Sequence, residues 1–208
     1  MSHPTSRLLK VAIVSVAAAA ISLVLSAAVT KGWYIAGSKP KEYEAGVDAS
    51  AVYKDHASAY LKSKTSTVEG FGTLMQDFNP DEYAGKRIQL SANVKVDAVQ
   101  SWAGLWMRVD KQSAVMAFDN MYDRPISGTT DWQSYPVVLD VPQDATGIFF
   151  GVLLNGPGTV WINNVKVKAV GFDTPTTGPG INGTLKRGDE LRRILTSQSD
   201  ENYRVTYQ

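Results

Sequence analysis

Between residues 87 and 96 apolar and polar positions alternate without a break: Ile88, Leu90, Ala92, Val94 and Val96 against Arg87, Gln89, Ser91, Asn93 and Lys95. Side chains of a β-strand point alternately to its two faces, so this run predicts a strand with one dry and one wet face. Residues 101–110, SWAGLWMRVD, repeat the period: the odd positions Ala103, Leu105, Met107 and Val109 form an apolar row. The even positions are Trp102, Gly104, Trp106, Arg108 and Asp110, which set flat aromatic surface beside hydrogen-bonding and charged groups. In residues 132–142 the inward set is Tyr135, Val137, Leu139 and Val141, and Pro136 marks an edge or a bulge because it donates no ladder hydrogen bond. Residues 147–154, GIFFGVLL, are apolar at almost every position, as a strand covered on both faces would be. The Asn155-Gly156-Pro157-Gly158 turn that follows predicts a hairpin pairing 147–154 with 159–167.

With the shorter runs at 58–64, 70–78 and 113–120, eight or more strands are expected between about Glu42 and Val170. Their spacing and turn residues predict an all-β domain, a β-sandwich or jelly roll. Only the N-terminus departs from this pattern. Arg7 and Lys10 precede residues 11–30, an uncharged run rich in Ala, Val, Leu and Ile. This predicts one apolar helix, either a signal peptide cleaved after Ala28 or a membrane anchor. From Gly171 the composition turns to Pro, Gly and Thr. The expected organisation is therefore a signal or anchor at 1–31, a sandwich at 32–170, and a linker with a loosely ordered tail at 171–208.

Composition narrows the chemistry. The 21 Lys and Arg nearly cancel the 20 Asp and Glu, leaving no basic field for nucleic acid. There is no cysteine, which excludes disulfides, thiolate metal sites and a cysteine nucleophile. The two histidines, His3 and His56, cannot build a multi-histidine metal site. No phosphate-binding glycine loop, nucleophile elbow or metalloprotease helix occurs. Asp110, Asp119, Asp123 and Asp131 could supply the carboxylate pair of a glycosidase, but sequence spacing does not say whether any two face each other, and turn aspartates are common. Arg187-Gly188-Asp189 is a lone tripeptide, common by chance, rather than an adhesion signal, and Asn182-Gly183-Thr184 reads as a turn rather than a glycosylation signal.

The segments WAGLWMRVD, AFDNMYDRPISGTTDWQSYPVVLDVP and GTVWINNVKV resemble a bacterial module of exported proteins, sometimes found beside hydrolase or regulator domains. The resemblance extends over about residues 32–170, through GWYIAGSKPKEYEAGVD and GFGTLMQDFNPDEYAGKRIQLSANVKV. More distantly, the chain is similar to carbohydrate-binding modules with a galactose-binding-like jelly roll. Many of those carry Asp-Asp after the tryptophan of the last strand, where this chain has Asn163-Asn164, a pair without hard anionic ligands for calcium. The resemblance implies that rings on one sheet or at a loop rim stack on a sugar while polar groups bond its hydroxyls.

The candidate ligand-binding residues are Trp102, Trp106, Arg108 and Asp110 on the strand, and Asp119, Asn120, Tyr122 and Arg124 in the loop after it. Each tryptophan can equally pack between sheets, and Arg108 can simply pair with a nearby aspartate. The expected function is a non-catalytic, extracytoplasmic module for a glycan or cell-envelope molecule. No cofactor, metal or nucleic-acid partner is expected, and membrane contact would run through residues 11–30. The alternative is a structural or protein-interaction module of an envelope assembly, which would show a broad apolar patch rather than a groove with exposed rings.

Overall fold

The computed structural model describes residues 32–178. The apolar run at 11–30 and most of the region after Gly171 lie outside the described residues. Among those described, no helix is long and apolar enough to cross a membrane.

Among the described residues nine antiparallel strands form a sheet folded on itself: β1 (Tyr34–Ala36), β2 (Tyr43–Tyr53), β3 (His56–Ser63), β4 (Phe71–Phe78), β5 (Arg87–Lys111), β6 (Ala114–Asp119), β7 (Ile126–Asp140), β8 (Gly147–Asn155) and β9 (Thr159–Val170). The order is β1-β4-β8-β5-β9-β3-β2, with β6 and β7 also pairing with β5. This is the all-β jelly-roll sandwich expected from the alternation.

The runs at 87–96 and 101–110 belong to one 25-residue strand, β5, which serves both layers. Its first half pairs with β7 and β9, and its second half with β8 and β6. In the first half the apolar positions of the inner core are even, Ile88 to Val96; in the second they are odd, Val99 to Val109. The change of parity falls at Ala98, whose φ of 50° is left-handed, where the register with β7 also shifts. An extra residue at such a bulge turns the strand over, so each half presents its apolar row to the same core. That core joins Leu61, Leu90, Leu105, Val137, Ile148 and Leu154 with their neighbours.

The turn at 155–158 is present, but the expected hairpin is not. β8 pairs with β4 and β5, whereas β9 pairs with β3 and β5. The turn is an arch that carries the chain from one side of β5 to the other. Both 147–154 and 159–167 have good strand patterns, and either could pair with the other on sequence alone; what separates them is the apolar β5 between them.

Pro136 lies on β7, which pairs with β5 alone and is an edge. The expected linker begins with a packed segment instead: the Thr177 backbone amide donates to the Val138 carbonyl, and the Val138 amide donates to the Thr177 hydroxyl. Residues 171–178 thus continue the sandwich along the β7 edge.

Candidate functional site

The outer face of the second layer carries a second apolar cluster: Met75, Trp106 and Leu153, flanked by Ala36, Phe71, Trp102, Phe118 and Phe149. Trp106 sits opposite Gly151 on β8, so its indole lies across a position without a side chain. A Cβ at Gly151 would come within 2.2 Å of the Leu74 carbonyl oxygen, so the strands pack there because the residue is glycine. Trp106 is 6% exposed. Its Nε1 donates to the Thr73 hydroxyl at 2.7 Å, which in turn donates to the Val152 carbonyl at 3.0 Å. The indole is thereby satisfied in a buried place.

Trp102 is half-buried and meets the exposed Tyr122 ring edge to face, centroids 5.8 Å apart. Between them the loop after β6 crosses Gly104: a Cβ there would come within 2.6 Å of the Asn120 carbonyl oxygen. Asn120 and Asp119 each accept a backbone amide two residues on, from Tyr122 and Met121. Such Asx turns fix the loop, and Met121 takes a left-handed φ of 62° to complete it.

Asp119 is 3% exposed and fully engaged. Arg124 donates to both of its oxygens, at 3.1 and 2.5 Å, and the Thr177 hydroxyl donates to Oδ2. Arg124 also donates to Asp123. The pair is a fork-to-fork clamp that closes the loop over the β7 edge.

Arg108 and Asp110 pair at 2.9 Å, and the Arg108 guanidinium lies 4.8 Å from the centre of the Phe149 ring. Burial pushes the Asp110 carboxyl above the usual carboxylate range, against the pull of Arg108. Asp110 Oδ1 is buried without a hydrogen-bond partner among the described residues.

The eight sequence candidates thus divide. Trp102, Asn120 and Tyr122 come together around Gly104, with the Asp119–Arg124 clamp beside them. Arg108 and Asp110 lie six and eight residues farther along β5 than Trp102, about 20 Å or more at strand rise. Trp106 stands between the groups, inside the apolar layer. Thr73, Phe118, Phe149 and Thr177 were not singled out from the sequence; they reach the face from other strands and from the C-terminal segment. Among the described residues no group of three or more His, Cys, Asp or Glu converges to hold a metal ion. Asn163 Nδ2 donates to the His56 and Ala57 carbonyls and the Ser58 hydroxyl, and Asn164 Nδ2 donates to Asn93, so the pair after Trp161 holds β3 and β5.

No family model matches the chain. A Bacillus subtilis (strain 168) protein named "Uncharacterized HTH-type transcriptional regulator YbfP" is 46% identical over 157 residues, covering 74% of this chain and 53% of its own length. The chain therefore spans about half of that relative. Among solved structures, the enzymatically active domain of bacteriophage CBA120 tailspike protein 4 aligns with a TM-score of 0.53 at 18% identity, over 70% of this chain and 22% of that one. The CBM22-1 xylan-binding domain of Paenibacillus barcinonensis Xyn10C aligns with a TM-score of 0.49 at 15% identity, over 68% of this chain and 87% of that one. These likenesses are of fold alone.

The regulator relative overturns several expectations together. A transcriptional regulator of helix-turn-helix type and an exported envelope module are different classes of protein. The extracytoplasmic module for a glycan or envelope component is withdrawn on that finding. So are the signal peptide or membrane anchor, the membrane-bound or secreted location, and the absence of a nucleic-acid partner. The apolar run at 11–30 that led to them lies outside the described residues.

Proposed function

We propose that the sandwich is the non-catalytic, effector-responsive module of a helix-turn-helix-type regulator, with DNA reading carried by a part of the protein outside residues 32–178. The observation that carries this reading is the placement of the shared sequence. Only 31 residues precede Gly32 and 30 follow Gly178, so most of a 157-residue match falls on the sandwich. The described residues contain strands and two short 3-10 turns and no α-helix. The shared sequence is then mostly β-structure, and a β-module beside a DNA-reading part suits sensing or assembly.

The Trp102–Tyr122 corner suits sensing. Its rings offer flat apolar surface, and the loop that carries Tyr122 holds the polar side chains of Asn120 and Asp123 beside it in sequence. A small molecule seated there would bear on the loop that Asp119 ties to Thr177, and so on the chain where it leaves the sandwich. Differential binding to two arrangements of that loop is what an effector needs to act.

The test is a thermal-shift screen of the full chain against small metabolites, repeated with Trp102→Ala and Tyr122→Ala. A metabolite should raise the melting temperature of the parent and lose that effect in both variants. A ligand whose effect survives both variants would remove the corner from the reading. Sequence-specific DNA binding by residues 32–178 themselves would overturn the division of labour.

A further inference from the structure

A groove of about 480 Å³ opens at another part of the sandwich, away from the Trp102 corner. Four of its lining residues are aromatic, Trp33, Phe78, Tyr83 and Phe150, and two are acidic, Asp77 and Glu82. The rings stand as successive walls. Trp33 meets Phe150 at 78° with centroids 5.7 Å apart, Phe150 meets Phe78 at 63° and 5.7 Å, and Phe78 meets Tyr83 at 66° and 5.6 Å.

The walls arise from four places in the chain. Phe78 ends β4, the Asp81–Tyr83 turn folds Tyr83 back against it, and Phe150 comes from β8. Trp33 closes the row just before β1. Val165 and Val167 of β9 add apolar surface.

Among the described residues the charged groups that line the groove are both acidic, and neither carboxylate makes an ion pair with another described residue. The Tyr34 hydroxyl donates to Asp77 at 3.3 Å. Lys86 gives its Nζ to the Glu82 backbone carbonyl rather than to the carboxylate. Ring faces carry negative potential, and a cation among several of them is attracted without needing hydrogen bonds. A ligand that presents apolar methyl surface and positive charge at once matches both features of the lining.

We propose that this groove binds an organic cation, a quaternary or trimethylated ammonium group carried by a small molecule. The proposal is independent of the regulator reading and of the Trp102 corner. The volume lies within the range of small-molecule sites and exceeds what one such headgroup fills.

Choline and its uncharged carbon isostere, 3,3-dimethyl-1-butanol, are the probes, titrated calorimetrically into the full chain. Choline should bind one to one, and the isostere at least about tenfold more weakly, the margin that desolvated cation–ring contacts supply. Asp77→Asn combined with Glu82→Gln keeps shape and removes the charge; it should weaken choline and leave the isostere unchanged. Trp33→Ala should weaken both. Trp102→Ala should leave choline binding as it is, which separates this site from the corner. Equal binding of the two probes, indifference of choline to the double charge variant, or no choline binding overturns the proposal. Should Trp33→Ala fail to fold, the isosteric charge variant and the probe pair still decide.

Discussion

Two tryptophans four residues apart on one strand face have different work because of what stands opposite each. Trp106 faces Gly151 and reaches Thr73 across β8, so its ring is roofed by Met75, Leu153 and Phe118. Trp102 faces Asn155 close to the bulge of β5, at the margin of the cluster, where it meets the Tyr122 ring of the loop after β6. Trp106→Ala should therefore cost about 3–5 kcal/mol in chemical denaturation, as for other buried aromatics truncated to alanine. Leu105→Ala, in the inner core, should cost roughly 2–5 kcal/mol, and Trp102→Ala clearly less than either. A Trp102→Ala loss equal to that of Trp106→Ala would show that the corner is a packed part of the sandwich. The inner residues were legible in the sequence, since Ala103, Leu105, Met107 and Val109 are all fully buried as their alternation predicts. The fates of the two tryptophans were not, because alternation places both on one face without saying which neighbours that face acquires.

Elements were legible singly and misjudged in their joining. Each strand run of the sequence has its counterpart, yet β5 reads as two strands because its parity breaks at Ala98, and the arch reads as a hairpin because its turn residues suit both. Turn chemistry specifies that the chain reverses; it does not specify which strand lies beside it afterwards. The arch has its own steric requirement. Gly158 takes φ of 141°, and a Cβ there would lie 2.7 Å from the Val99 Cα, immediately beside the bulge at which β5 changes parity. Arch and bulge are thus packed against each other, and a side chain must displace one of them. Gly158→Ala should destabilise by about 1–3 kcal/mol, the scale of a strained backbone position. Denaturation with an unchanged slope would confirm that the fold survives. A variant as stable as the parent would show that arch and bulge shift freely, and would weaken the account of how β5 serves both layers.

At the scale of the whole molecule the class of fold was legible and the protein's work was not. Alternation and turn spacing report burial, whereas the regulator likeness concerns a protein about twice as long as the match, and jelly rolls host many functions. In the proposed reading the segment 171–178 would link fold to work; composition marks it as a linker, and the structure packs it against β7. Arg87 grips it by donating to the Phe172 and Thr174 carbonyls at 2.9 and 2.7 Å while holding Asp140 with its other nitrogens. Thr177 grips it from the other end, through Asp119 and both polar groups of Val138. The Arg87 contacts stand largely in solvent and are worth little each, whereas the Asp119 carboxylate is buried and loses a charge-assisted donor if Thr177 changes. Thr177→Val keeps the shape and removes that donor, so it should cost about 1–3 kcal/mol in the full chain. Thr177→Ser, which keeps the hydroxyl, should recover most of the loss. Amide exchange would then place the effect: protection should fall at Met121 and Val138, whose amides hydrogen-bond within this clamp, and hold at Leu105 in the core. If Thr177→Val melts with the parent and exchange at Met121 is unchanged, the segment is only laid against β7, and the loop of the Trp102 corner has no mechanical tie to the chain beyond it.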